Sequence, residues 1–167
     1  MSKSQKYKLY HINTFFLNYL REFEPKIPLD KSNQGKARPF LGILIETNGY
    51  KYLAPLSSKI HNTQTDFVVK HKQGEGKKIA TVRFAYMFPV PESQLIEISF
   101  KKMELEDPKY SALLKAEINY INHHKDKIRK RANLVYKNQK NNIANFRKFC
   151  CNFSKLESII NAYIKQN

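Results

Sequence analysis

The chain has 167 residues and 41% hydrophobic content, enough for one core and too little to split into two. Thirty Lys and Arg stand against 14 Asp and Glu, a formal charge of +16 at pH 7, so an anionic partner is expected, a polynucleotide before a membrane surface. No apolar run of about 18 residues is present, which excludes a transmembrane helix, and the charged start Met1-Ser-Lys-Ser-Gln-Lys-Tyr-Lys8 lacks the apolar segment of a secretory signal.

Residues 8–11 read as a short strand. Asn13 is a candidate N-cap for a helix that carries Phe16, Leu17 and Leu20 on one face and runs to about Glu22. Pro25 and Pro28 end it. The polar stretch 29–38 reads as a loop, the kind of segment that borders a site. Residues 40–47 are apolar and β-prone. Asn48-Gly49 separates them from residues 50–56, and because both residues accept positive φ the pair predicts a type I′ hairpin. Pro55 predicts that the second strand ends there or lies at an edge, with residues 57–61 just past it. Residues 66–71 and 78–84 predict another strand pair around a loop holding Gly74 and Gly76. Residues 87–91 read as irregular, and 96–100 as one more strand. Asp107-Pro108 is a helix start, a capping side chain followed by proline in the first turn. Tyr110, Leu113, Leu114, Ile118 and Ile121 make its stripe, and Ile128, Ala132 and Val135 continue it after a break near His123-His124. Ser154 and Glu157 have capping-box spacing, ahead of Leu156, Ile159, Ile160 and Tyr163 on one face. Strands first and helices last predict a single α+β domain, 1–167, around an antiparallel sheet with C-terminal helices.

The charge is unevenly placed. Between Asp126 and Glu157 there is no acidic residue, while Lys127, Arg129, Lys130, Arg131, Lys137, Lys140, Arg147 and Lys148 fall there, interleaved with Asn133, Asn138, Asn141, Asn142 and Asn145. Lysine and arginine bind phosphates and asparagine bonds base edges and backbone, so the stretch is a candidate nucleic-acid surface. The plainer reading is a solvated helix face with a basic loop. It lacks the companion apolar face that membrane binding needs. Tyr10, Tyr136 and Phe146 lie in or near basic contexts and are candidates for stacking on unpaired bases. Cys150-Cys151 can build neither a disulfide framework nor a four-ligand zinc site, and reads as a pair of buried thiols. His123-His124 has no nearby ligand set, so no metal and no cofactor is expected.

Ser57-Ser58-Lys59-Ile60-His61 offers two hydroxyls, a cation and an imidazole within five positions, immediately after a strand. By itself Ser-Ser past a proline is ordinary turn chemistry, and a lone lysine there is ordinary surface.

Five stretches, in order along nearly the whole chain, carry a resemblance. They are Tyr19-Leu20-Arg21-Glu22-Phe23 with Lys26-Ile27-Pro28; Arg38-Pro39-Phe40-Leu41-Gly42-Ile43; Tyr52-Leu53-Ala54-Pro55-Leu56-Ser57-Ser58-Lys59; Met87-Phe88-Pro89-Val90; and Cys151-Asn152-Phe153-Ser154-Lys155-Leu156-Glu157. With these the chain resembles the ToxN/AbiQ family, the protein toxins of type III toxin–antitoxin systems. The resemblance implies a metal-independent endoribonuclease of the bacterial cytoplasm. It implies a highly twisted, barrel-like antiparallel sheet flanked by helices, similar to the Kid/MazF toxins. It implies a cognate small repetitive antitoxin RNA, folded as a pseudoknot, that is cut from its own precursor and assembles with the toxin into a closed ring. It further implies messenger RNA as substrate and a role in phage defence by abortive infection.

The family's hydroxyl pair and lysine carry over to Ser57, Ser58 and Lys59, and its basic residue before the Phe-Leu-Gly strand to Arg38. Many relatives have a proline between the second hydroxyl and the lysine. Here it is missing, and Lys59 lies one step closer. Arg38 stands where a lysine is common, with Lys36 as the competing choice. The loop 31–35 lacks the tyrosine of some relatives, and Gln34 is the candidate for that place.

Metal-free RNA cleavage uses the substrate's 2′-OH as nucleophile and leaves a 2′,3′-cyclic phosphate and a 5′-OH. The protein must orient the 2′-OH, help deprotonate it, stabilise phosphoryl charge and protonate the leaving oxygen. On this chemistry Lys59 stabilises phosphoryl charge or acts as general acid, Ser57 and Ser58 position the scissile phosphate, and Arg38 clamps a phosphate with its planar fork. His61 suits proton transfer, or bonds RNA or loop backbone. Residues 127–148 would hold the antitoxin RNA along its backbone. The competing reading is a non-catalytic basic RNA- or ribosome-binding domain.

Overall fold

The strand-forming residues of the first hundred positions enter one antiparallel sheet, seen in a computed structural model that describes residues 5–31, 35–71 and 76–166. Its strands are β1 (Lys8–Ile12), β2 (Phe40–Thr47), β3 (Tyr50–Ser57), β4 (Asp66–His71), β5 (Lys77–Arg83), β6 (Phe88–Pro89) and β7 (Leu95–Glu97). The order is β4-β5-β3-β2-β1-β7, with β6 added on β3. The sheet does not close, and β4 and β7 are its ends. The helices are α1 (Thr14–Phe23), α2 (Phe100–Glu106), α3 (Pro108–His123), α4 (Lys125–Lys140), α5 (Ala144–Phe149) and α6 (Phe153–Gln166). The α+β class and the C-terminal helices are as expected. None of the helices described is long and apolar enough to cross a membrane.

Local chemistry explains the main turns. The Asn13 side chain accepts a hydrogen bond from the Phe16 N–H and starts α1, a cap whose loss typically removes about 1 kcal/mol. Asn48 and Gly49 both take positive φ, 52° and 81°, so β2 and β3 join in the tight hairpin that the pair predicts. Phe40 and Leu41 face Pro55 and Ala54, but the next matched pair is Ile45 with Tyr52. Four steps along β2 thus meet two along β3, a bulge that bends β2. A Cβ on Gly42, within that bulge, would stand 2.6 Å from the Leu53 Cγ, so only glycine fits.

Pro55 neither ends β3 nor marks an edge. The strand continues to Ser57, and its outer side changes partner at this point. Tyr52 and Leu53 pair with β6, Leu56 and Ser57 pair with β5, and Pro55 falls between the two ladders, where its missing N–H is not needed.

Other expectations are corrected. Residues 96–100 are not one strand: β7 stops at Glu97, and the Ser99 side chain caps the Lys102 N–H and starts α2. The irregular stretch 87–91 contains β6. The capping box does not form at Ser154; the Asn152 side chain, two residues earlier, caps the Lys155 N–H instead. Glu157 is drawn into the core, where it accepts hydrogen bonds from the hydroxyls of Tyr52 (2.7 Å) and Tyr136 (2.8 Å) and from Lys140 Nζ (3.0 Å). The break between α3 and α4 falls at His124, as predicted. Cys150 and Cys151 are free and buried, and burial pushes the Cys150 thiol up to about 11.

Candidate active site

The end of β3 opens into a cleft of about 620 Å³. Its walls come from five places. Ser57, Ser58, Lys59 and His61 follow β3; Lys36 and Arg38 precede β2; Lys26 follows α1; Arg83 and Tyr86 end β5 and the next turn; Tyr110, Leu113, Leu114 and Glu117 form one face of α3. The structure therefore brings together Arg38, Lys36, Ser57, Ser58, Lys59 and His61, all singled out from the sequence. Gln34 and Gly74 lie outside the described residues.

The turn that carries the hydroxyls is held from below. Ser57 closes the β3 ladder rather than lying past it, and its Oγ accepts from the Lys59 N–H at 3.1 Å. The Thr81 hydroxyl, fully buried on β5, donates to the Lys59 carbonyl and accepts from the His61 N–H, both at 3.0 Å. Its backbone thus fixed, the turn presents an exposed Ser58, an exposed Lys59 and a half-buried His61. Thr81→Val keeps the shape and removes both bonds. We expect it to lower stability by about 1–3 kcal/mol and to speed amide exchange at His61. Thr81→Ser should change neither by much, and urea titration with hydrogen exchange distinguishes the two variants.

The cations of the cleft differ in what they hold. Lys26 Nζ donates to the Cys150 carbonyl at 3.0 Å. Lys36 pairs with Asp107 at 3.3 Å and sits 4.4 Å from the centre of the Tyr110 ring. Arg38 Nε donates to the Leu29 carbonyl at 2.9 Å while its N–H donates to the Asp30 carbonyl, tying the described ends of the loop 29–38 together. Burial lowers its basicity somewhat, and its remaining guanidinium nitrogens are available to a phosphate. Arg83 Nε donates to the buried Asp66 carboxylate at 3.1 Å and its guanidinium lies 4.8 Å from the Tyr86 ring. Among these described residues only Lys59 has its ammonium unengaged.

The basic stretch 127–148 does not reach this cleft as one surface. Lys127 and Arg131 border a hollow of about 320 Å³ with Tyr120 and His124, whose rings stack at 4.2 Å. Lys140 and Arg147 border another of about 610 Å³, which shares Lys26 with the cleft. Several of these cations are already occupied. Arg131 donates to the Asp66 carbonyl, Arg129 reaches Asp126 at 3.5 Å, and Lys140 serves Glu157. Lys130, Lys137 and Lys148 point to solvent. Tyr10 is also elsewhere, half-buried on β1 with Lys8, Glu97, Glu92 and Lys51 around it; burial raises its hydroxyl pKa. Tyr136 packs face to face with Phe153, ring centres 5.5 Å apart, and Phe146 is buried, so neither is a free stacking platform.

Sequence reasoning missed Lys26, Thr81, Arg83, Tyr86, Tyr110 and Glu117. For one of them a signal exists: Glu117 interrupts the apolar stripe of Leu114, Ile118 and Ile121, and a carboxyl on a buried helix face needs a reason. It is 4% exposed, and burial alone raises its pKa to about 8.

A basic α+β domain here gathers five cations and two serine hydroxyls in one cleft, side chains whose chemistry suits phosphate groups. The family model described as toxin ToxN of type III toxin–antitoxin systems matches residues 8–161, and the chain belongs to that family. The chain is 30% identical to endoribonuclease ToxN of Bacillus thuringiensis subsp. kurstaki, over 98% of this chain and 87% of the relative. Its fold superposes with a TM-score of 0.86 on a type III toxin described as selectively inhibited by a non-coding RNA pseudoknot, at 28% identity over 95% of this chain and 98% of the other. The lactococcal anti-phage endoribonuclease AbiQ shares the fold, with a TM-score of 0.85 at 22% identity over 96% of this chain and 99% of the other.

Proposed function

We propose that this chain is the endoribonuclease toxin of a type III system, cutting RNA without a metal ion through the substrate's own 2′-OH. The observation that supports it most is the unengaged Lys59 ammonium beside Ser57 and Ser58, in the same cleft as the Arg38 fork. In this reading Ser57 and Ser58 hold the scissile phosphate against the rigid end of β3. Arg38 clamps a neighbouring phosphate, and Lys59 meets the charge that grows on the phosphoryl oxygens as the 2′-oxygen attacks. His61, whose backbone N–H is held by Thr81, takes the 2′-OH proton in this reading. The 2′-oxygen–phosphorus bond forms as the bond to the 5′-oxygen breaks, leaving a cyclic phosphate and a 5′-OH.

The relatives' names and the pseudoknot-inhibited neighbour support the rest of the proposal. The substrates are messenger RNA and the toxin's own repetitive antitoxin precursor. The processed RNA pseudoknot occupies the cleft and the basic hollows at the two ends of α4, and successive toxins and RNAs close into a ring. Release of the toxin in the bacterial cytoplasm arrests growth during phage infection.

The test is direct. Purified protein is incubated with RNA and with DNA of the same sequence, in EDTA, and the product ends are analysed. We expect cleavage of RNA alone, with 2′,3′-cyclic phosphate ends, and growth arrest in cells that lack the cognate repeat RNA. Tight RNA binding without any cleavage would leave a non-catalytic RNA- or ribosome-binding domain in place of the enzyme.

A further inference from the structure

Glu117 is the one carboxyl among the cleft's described lining, and the roles above leave it unused. We infer that Glu117 is the general acid of the cleavage, giving its carboxyl proton to the departing 5′-oxygen. The inference rests on the endoribonuclease reading of the same cleft.

Its position comes from α3. Tyr110, Leu113, Leu114 and Glu117 recur at spacings of three and four and so share one face, which forms a wall of the cleft. Glu117 is the furthest of these towards the C-terminal end of the helix and is buried, 4% exposed. A buried carboxylate would normally recruit a cation, and this cleft has five. None of the ion pairs described includes it. Lys36 is held by Asp107 before α3, Arg83 by Asp66 of β4, and Lys26 by the Cys150 carbonyl. Arg38 is turned to the Leu29 carbonyl, and on the α2 side Glu104 engages Lys115. The remaining titratable groups of the cleft are Lys59 and His61 beyond β3, Tyr86 after β5, and Tyr110 on α3 itself. Burial is what shifts the carboxyl, raising its pKa to about 8. At neutral pH it is therefore mainly protonated, a donor in a site otherwise made of cations and hydroxyls.

The step balances. The 2′-OH gives its proton to the base, the 2′-oxygen bonds to phosphorus, and the bond from phosphorus to the 5′-oxygen breaks. Glu117's proton goes to that oxygen, and the carboxylate is reprotonated from water after product leaves. Lys59 then has a single duty, phosphoryl charge, rather than the double one that the sequence allows it.

The experiment uses the full chain and an RNA whose cut site has been mapped with the wild type. A second copy of that RNA carries sulfur in place of the bridging 5′-oxygen at the cut. A thiolate leaves without protonation, so loss of a general acid is repaired by sulfur and loss of a phosphate contact is not. Glu117→Gln should cut the oxygen RNA about 10²–10⁴-fold more slowly and the sulfur RNA within about tenfold of the wild type. Lys59→Ala should be slow on both. For the wild type, kcat/KM on the oxygen RNA should fall as pH rises through about 8, where the acid loses its proton, and should not fall there on the sulfur RNA. Equal loss on both substrates, or rescue of Lys59→Ala instead, overturns the inference. Binding of an uncleavable RNA with a 2′-deoxy residue at the cut shows whether Glu117→Gln is folded. If it is not, the wild-type pH profiles decide: the same alkaline decline on both substrates overturns the inference. A wild type that cuts no RNA at all fails the endoribonuclease reading itself.

Discussion

Lys59→Ala is expected to give a folded protein that binds RNA, cuts it about 10²–10³-fold more slowly and no longer arrests growth. The expectation of a large kinetic effect comes from the partners of the other cations. Lys26, Lys36, Arg38 and Arg83 are each tied to a carbonyl or a carboxylate, and a charge already satisfied gives less to a transition state. Lys59 Nζ has no such partner, so its full charge is available where negative charge develops. The expectation of a small structural effect comes from the backbone. What holds the turn in place is the Lys59 N–H on Ser57 and its carbonyl under Thr81, and alanine keeps both. The side chain itself is exposed, where truncation usually changes stability by less than about 0.5 kcal/mol. Cleavage rate and denaturation midpoint should therefore separate. Lys59→Arg restores charge on a longer, planar group and should recover only part of the rate. A Lys59→Ala variant as toxic as the wild type would remove Lys59 from the mechanism.

The segment Ser57–Lys59 shows what adjacent residues carry by themselves. Local rules were sufficient for the turns: Asn48-Gly49 needs positive φ at two positions, and Asp107-Pro108 supplies a cap and a preset φ, so both are written in adjacent residues. The cluster after β3 was also visible, because its hydroxyls and lysine are contiguous. Arg38 could be added only through resemblance, since it lies before β2, on the far side of the hairpin in the chain. What was hidden depends on partners distant in the chain. Pro55 predicts a strand end from its own chemistry, yet β3 continues because two different strands share its outer side. The run 127–148 reads as one basic surface, but the helix winds its cations to different sides, and Asp66 and Glu157 from elsewhere engage two of them. Thr81 has no signature at all; a threonine in a strand is ordinary until the turn 57–61 lies over it. Glu157 is the sharpest case. Ser-x-x-Glu is a capping signal on local grounds, and a core of tyrosines overrides it.

That override gives the largest stability effect to be expected. Glu157 joins three elements that share no neighbouring sequence. Tyr52 comes from β3, Tyr136 and Lys140 from α4, and Glu157 from α6. Around them Tyr52, Tyr136 and Phe153 pack with ring centres 5.2 to 5.5 Å apart, so the carboxylate lies against an aromatic cluster with little water. Burial, and next the bond to Glu157, push the Tyr52 hydroxyl far above its ordinary pKa and that of Tyr136 up to about 12; both therefore stay protonated and donate to the carboxylate. Glu157→Ala would leave the Tyr52 hydroxyl without an acceptor in a fully buried position, release Lys140, and open a void beside Phe153. Removing one partner from such a network costs about 3–5 kcal/mol, which for a domain of this size lowers Tm by roughly 6–20 °C. Glu157→Gln keeps the volume and one carbonyl acceptor for the tyrosines but not the charge opposite Lys140, and should lose only about 1–2 kcal/mol. Lys140→Met, which removes the cation and leaves the carboxylate with its two hydroxyls, should fall between them. If thermal denaturation ranks Gln with Ala, the ion pair between α4 and α6 rather than the tyrosine hydroxyls carries the network's stability.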